Sequence, residues 1–346
     1  MSDELGVLIR CDASPELGLG HAVRCLALAD ELRGTHGCRV TFATREDSLG
    51  ASVVRQHGYE VIPVAYADNE AEQRTRLREA LVTADARVLV VDVRDALSRG
   101  ALEAVRAEGT RVIVLDDSSS RRLAADMTCY PPVPQARRLE WTGSHTRVLI
   151  GWEWVVLRRQ FARDPSDWCE WRAGVLVTMG GSDPAGITLR AVEALDRLEA
   201  NVEVTIVIGR GFVHQKALEQ RLKTARHRFR ICRDVVDMAR LMAGAELAVA
   251  AFGVTAYELA AMGVPAILLC LTPDHVESAS AFVEAGIAES LGIYHQVTPD
   301  ALANEVAALL RDERRRAQMS ERARRLVDGK GAARVAQAIV DLTCEA

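Results

Sequence analysis

Along the chain, short apolar runs without polar alternation recur between stretches whose apolar residues fall at helical intervals. In the first half, Gly6–Asp12, Arg39–Ala43, Glu60–Val64, Val88–Asp92 and Val112–Asp116 predict strands buried on both faces. Ala22–Leu32 and Arg74–Leu81 read as helices between them. After a break the pattern restarts. Gly174–Met179, Val202–Ile208, Leu247–Ala251 and Ala266–Leu271 read as strands, and Ile187–Leu198, Gln215–Ala225, Ala256–Met262 and Val276–Ala285 as helices. Such alternation predicts parallel sheets covered by helices. The restart predicts two similar, doubly wound α/β domains rather than one large sheet.

A length of 346 residues suits two domains of ordinary size. The first is expected over 1–150, an aromatic linker over 151–173 and the second over 174–346, with the last helix a candidate to pack back on the first domain. All five tryptophans (Trp141, Trp152, Trp154, Trp168 and Trp171) fall around that linker. They read as apolar packing of the connection, with a stacking surface for a base or sugar as the alternative. Acids interrupt the arginine-rich stretch Arg311–Arg325, which therefore reads as a solvated helix rather than a binding patch.

Bulk properties narrow the function. A net charge of −5 argues against nucleic acid or an anionic membrane as the main partner. All but three of the 43 basic residues are arginine, which we take as a composition habit of the genome. Met1–Leu5 carries two acids and leads directly into a strand, unlike a signal peptide, and no apolar run approaches the ~20 residues that span a bilayer. The eight cysteines form no CxxC pair. Cys11, Cys38, Cys232 and Cys270 sit in apolar strands as buried thiols. The expected setting is cytoplasmic, with no transmembrane segment, no metal and no cofactor.

Chemistry concentrates in turns after strands, the edge where parallel sheets bind ligands. Arg10–Arg24 runs from a strand through Gly18 and Gly20 to a helix start carrying His21, with Arg24 one turn onward. Imidazole ordinarily titrates near pH 6.5 and can act as a base at neutral pH; a helix-capping turn with an incidental histidine is the alternative. In Thr178–Pro184, Gly180, Gly181 and Ser182 can offer donors to a phosphate, with Asp183 at a helix start. Taken alone, these residues read as an ordinary strand–turn–helix connection. In Ala250–Pro265, Gly253 turns the chain into a helix carrying Val254, Thr255 and, one turn on, Glu258. Either Thr255 meets a phosphate while Glu258 accepts from ribose hydroxyls, or the two form a capping box. Asp274 and His275, after a further strand, either line a sugar pocket or open a helix. HExxH, GxSxG and GxGxxG after the first strands are missing, which weakens metal hydrolysis, serine hydrolysis and dinucleotide chemistry.

Taken together, the motifs resemble the UDP-sugar hydrolases of pseudaminic acid biosynthesis and the related spore-coat polysaccharide proteins. These share the GT-B fold of the glycosyltransferase that makes lipid II. The resemblance rests on Arg10, Asp12, GLGH with Arg24, VLDD at Val114–Asp117, LIGWEWVVLRRQF at Leu149–Phe161, GGSD at Gly180–Asp183, TAYELAAMGVP at Thr255–Pro265 and DGKGAARV at Asp328–Val335. It implies two Rossmann-like domains facing each other across a cleft. It makes His21, with Arg24 and Asp12, the catalytic group that activates water at an anomeric carbon. It places the nucleotide at Gly180–Asp183, Val235, Val236, Gly253–Thr255 and Glu258, and the sugar near Gly18, Gly20, Asp92, Arg94, Asp274 and His275.

Four departures mark the sugar side: Phe252 stands where the hydrolases have a second glycine, Asp274–His275 replaces an Asn-Gln pair, the Val93–Arg94 region replaces a tyrosine, and an asparagine expected near Tyr130 is missing. The expected substrate is a nucleotide sugar, UDP-linked before CMP-linked. The expected reaction is hydrolysis. Glycosyl transfer to a surface glycan, with a hydroxyl in place of water, and a non-catalytic sugar-nucleotide-binding partner are the alternatives.

Overall fold

The computed structural model describes residues 4–12, 20–45, 49–65, 69–164 and 172–344. The chain divides into two compact units, one of residues 1–158 with 330–346 and the other of 159–329.

In unit 1 seven parallel strands run β1 (Gly6–Cys11), β2 (Arg39–Thr44), β3 (Glu60–Pro63), β4 (Val88–Asp92), β5 (Arg111–Leu115), β6 (Met127–Tyr130) and β7 (Arg147–Ile150), in the spatial order β3-β2-β1-β4-β5-β6-β7. The order reverses between β1 and β4, so their carboxyl ends open a crevice where such sheets take ligands. Strand alternation sends Val7, Ile9 and Cys11 into one core layer and Leu8 into the other. The first layer is covered by α1 (Gly20–His36) and α2 (Leu49–Gln56), the second by α3 (Glu70–Thr83) and α4 (Arg99–Ala107). A one-turn helix, α5 (Pro134–Arg137), precedes β7.

Unit 2 has six parallel strands: β8 (Val175–Thr178), β9 (Val204–Ile208), β10 (Phe229–Arg233), β11 (Leu247–Ala251), β12 (Ala266–Cys270) and β13 (Ala288–Ile293), ordered β10-β9-β8-β11-β12-β13. Here the reversal lies between β8 and β11. In chain order the helices are α6 (Ile187–Leu195), α7 (Gln215–Lys223), α8 (Met238–Ala243), α9 (Val254–Ala261), α10 (Pro273–Glu284), α11 (Pro299–Arg311) and α12 (Glu313–Leu326). α6, α7 and α11 bury their apolar stripes on one face of the sheet. In α12, Arg315, Arg316 and Arg325 pair with Glu289, Glu246 and Glu321, while Met319 and Ala323 point inward.

The last helix, α13 (Gly331–Cys344), packs on α1 and places Val335, Ala336 and Ile339 in the unit 1 core. Unit 2 therefore ends at Gly329, not at 346, and unit 1 runs to Arg158, past Ile150. Trp154 packs against that same core, and Trp141 meets Tyr130 edge-on with ring centres 6.0 Å apart. These two tryptophans are packing residues. Trp168 and Trp171 lie outside the described residues. Cys11, Cys38 and Cys270 are buried, whereas Cys232 on edge strand β10 is only half-buried. Among the described residues no helix is long and apolar enough to cross a membrane.

Candidate functional site

At the unit 1 crevice, each of β1, β4 and β5 is completed or followed by an aspartate: Asp12, Asp92 and Asp116. Asp92 organises the group. Its side chain is 0% exposed, and Oδ1 accepts from His21 Nδ1 at 2.7 Å and from Arg24 Nη2 at 2.7 Å. Oδ2 accepts from Arg24 Nε at 2.8 Å and from the Cys25 thiol. His21 and Arg24 reach the same carboxylate because they lie three residues apart on one face of α1.

Burial alone would raise the Asp92 carboxyl, but Arg24 and then His21 outweigh it and hold it well below the usual carboxylate range. Burial likewise opposes the Arg24 charge, and Asp92 and Asp116 more than restore it. The ionised Asp92 carboxylate can only accept, so at 2.7 Å Nδ1 carries the proton and donates it to Asp92. The tautomer leaves the lone pair on Nε2, which has no hydrogen-bond partner among the described residues.

Asp92, expected near the sugar, is wholly buried and bonded to His21 and Arg24. Arg24, expected to face the reaction, spends its guanidinium on Asp92 and, at 3.0 Å, on Asp116. Asp116 takes the left-handed φ of 51° that aspartate tolerates, and its outer oxygen also lies 3.5 Å from the more exposed Arg94. Gly20 opens α1 beside His21, and Gly18 lies outside the described residues. Asp12 is 3% exposed and bonds Arg10. Asp95, Asp116 and Asp117 were not picked out as site residues, although an acid at each central strand end was a readable signal.

At the unit 2 crevice two loops meet. Gly180 and Gly181 are exposed and Ser182 is half-buried. Asp183 is 5% exposed, and its two oxygens accept from the Ile187 and Thr188 amides at 2.9 and 2.8 Å. Its carboxylate thus caps α6, and those donors are not open to a phosphate. A second loop after β9, not singled out in the sequence, braces the first. The Gly211 amide donates to the Gly181 carbonyl at 3.2 Å, and His214 Nε2 donates to the Pro184 carbonyl at 3.1 Å. A Cβ on Gly209 would stand 2.6 Å from that Gly181 oxygen, so only glycine allows this approach.

The N-cap of α9 is Gly253, which has no side chain to cap the helix with. The helix starts at Val254 after Gly253, which overturns the capping-box reading of Thr255 and Glu258: Glu258 lies in the second turn and is 6% exposed. The positive dipole end of α9 is suited to an anion. Beside this start, Phe252 is buried among Tyr257, Phe282 and His275. His275 Nδ1 is buried without a hydrogen-bond partner, and burial lowers the imidazole pKa. Asp274 is exposed on the first turn of α10, and its neighbour Thr272 supplies the cap to the His275 amide. Val235 is half-buried and Val236 is 86% exposed after β10. Among the described residues no cluster of three or more His, Cys, Asp or Glu side chains could hold a metal.

Residues 175–339 match the glycosyltransferase family 28 C-terminal domain. The chain is 25% identical over 340 residues to the spore coat polysaccharide biosynthesis protein SpsG of Bacillus subtilis (strain 168), covering 96% of this chain and 97% of that one. It is 29% identical over 357 residues to UDP-N-acetylglucosamine--N-acetylmuramyl-(pentapeptide) pyrophosphoryl-undecaprenol N-acetylglucosamine transferase of Sorangium cellulosum (strain So ce56), covering 95% and 85%. Its fold is similar to the crystal structure of Acinetobacter baumannii MurG, with a TM-score of 0.73 at 16% identity over 97% and 99% of the two chains. These similarities favour the transferase alternative over the hydrolase expected from the motifs. The chain is a GT-B enzyme whose residues 175–339 match the glycosyltransferase family 28 C-terminal domain.

Proposed function

We propose that the protein transfers a sugar from a nucleoside diphosphate to a hydroxyl of a polysaccharide or glycan precursor. The observation that carries this reading is the His21–Asp92 pair, a histidine whose orientation and tautomer are set by a buried carboxylate and whose Nε2 is left to accept a proton. In the proposed step the acceptor oxygen bonds to the anomeric carbon as the bond from that carbon to the diphosphate oxygen breaks. The nucleoside diphosphate leaves with that electron pair, and the acceptor proton passes to His21 Nε2.

In unit 2, the Val254 and Thr255 amides and the Gly180–Ser182 loop would meet the diphosphate, Glu258 the ribose, and Val235 and Val236 the base. Asp274, His275 and Phe252, grouped beside the α9 start, would meet the donor sugar. The similarity to a transferase named for a UDP-N-acetylglucosamine donor supports a UDP-linked amino sugar.

The test is incubation with a panel of UDP- and CMP-activated sugars, following nucleotide release with and without saccharide acceptors. Release that depends on acceptor, with a glycoside as product, is expected. Equal release in buffer alone would make water the acceptor and the protein a hydrolase, and no release from any donor would overturn the reading.

A further inference from the structure

A second polar centre in unit 1 lies on the opposite face of the sheet from His21. Arg10 and Asp12 alternate with Ile9 and Cys11 and so share a face with Leu8, toward α3 and α4. Arg10 donates to Asp12 Oδ1 at 2.5 Å and to Asp95 Oδ2 at 2.8 Å. Arg121 lies 3.5 Å from Asp95 Oδ1 and donates to Asp117 Oδ2 at 2.6 Å. None of these five side chains is more than 8% exposed.

Three carboxylates thus share two guanidinium groups. The Leu97 amide also serves Asp95 Oδ1, and the Ser119 amide serves Asp117 Oδ1. Asp12 Oδ2 alone is buried with no partner. An unpaired buried carboxylate oxygen is costly, because it gives up its hydration for nothing in return. A centre that stabilised the fold alone would not retain it.

Its position supplies the reason. Asp12 directly follows Cys11, whose register partner on the neighbouring strand β4 is Asp92, the residue that holds His21. The two centres therefore flank one carboxyl edge, on either side of the sheet. We propose that Asp12 Oδ2 receives a hydroxyl of the acceptor other than the one His21 deprotonates, so that the acceptor is a carbohydrate presenting at least two hydroxyls. This rests on the transferase reading above.

Asp12→Asn is the test. It keeps an oxygen for Arg10 while removing the surplus charge. The variant should melt at or above the wild-type temperature and keep its UDP affinity, while KM for the saccharide acceptor found in the donor panel rises at least tenfold. A lower melting temperature, including failure to fold, or an unchanged acceptor KM overturns the proposal. A second measurement compares the two proteins: with wild type, monodeoxy forms of that acceptor should include one used at least tenfold less well, and on that form Asp12→Asn should cause no further loss. If every monodeoxy form is used as well as the parent, the proposal also falls. Failure of the transferase reading looks different: wild type then releases nucleotide equally without any saccharide acceptor, or turns over no donor at all.

Discussion

His21 donates its Nδ1 proton to a carboxylate, Asp92, that is completely removed from solvent and is also gripped by Arg24. The pairing joins residues 71 positions apart and converts a helix-start histidine into a base with a defined free nitrogen. Asp92 need not touch the substrate to matter. It fixes which ring nitrogen is left free.

Replacing His21 by Asn removes the base and keeps a polar side chain. Turnover should fall by roughly 10²–10⁴-fold, the range of a positioned general base, while UDP affinity, assigned to unit 2, stays constant. Steady-state kinetics and calorimetry on the same preparation check both. Loss of affinity along with turnover would make His21 a phosphate ligand instead.

Asp92→Asn should harm both activity and folding. The amide cannot offset the Arg24 charge, and breaking a buried ion pair from one side costs about 3–5 kcal/mol. Denaturant unfolding should show that loss. His21→Asn should show much less, because it leaves the Arg24–Asp92 pair intact.

Gly209→Ala should act on the nucleotide without touching it. Its new methyl would press on the Gly181 carbonyl and shift the loop beside the proposed diphosphate. Overpacking of this kind costs about 1–3 kcal/mol, so UDP binding should weaken roughly tenfold. At saturating donor, turnover should recover. Titration calorimetry giving wild-type affinity would show that the brace between the two loops is not required.

His275 gives a stability change with a definite sign. Burial lowers its folded pKa below the unfolded value, so the unfolded chain binds the proton first as pH falls. The neutral folded form is fully favoured above about pH 6.5, and that advantage is lost as pH drops through the folded pKa. Wild type should therefore lose stability relative to His275→Gln between pH 7.5 and 5. Parallel curves for the two proteins would contradict the assignment.

How much of this was legible depended on burial. The central strands β1, β4, β8, β11 and β12 are buried on both faces, and their uninterrupted apolar runs reveal them. The strands β6, β7, β10 and β13 were not identified. β10, at a sheet edge, reads FRICR and exposes both arginines, and β7, also at an edge, has only Leu149 buried. β13 reads AESLGI with only its first residue buried, and β6, though buried, is just four residues long. Residue types at the site were visible as well, since His21, Asp92 and Glu258 all stand at turns after strands or on the helices that follow. Their partners were not. Asp183 and a phosphate compete for the same helix donors, and only the three-dimensional placement shows that the carboxylate takes them.

The return of α13 to unit 1 sets an order of completion during synthesis. Unit 2 is one continuous stretch of chain, finished when residue 329 has emerged, whereas the core around α1 waits for Val335, Ala336 and Ile339. Domains fold as units while the chain grows, so the half carrying His21 is the last to close. A nascent chain halted before residue 331 would hold a finished unit 2 and a unit 1 whose core still lacks its last helix.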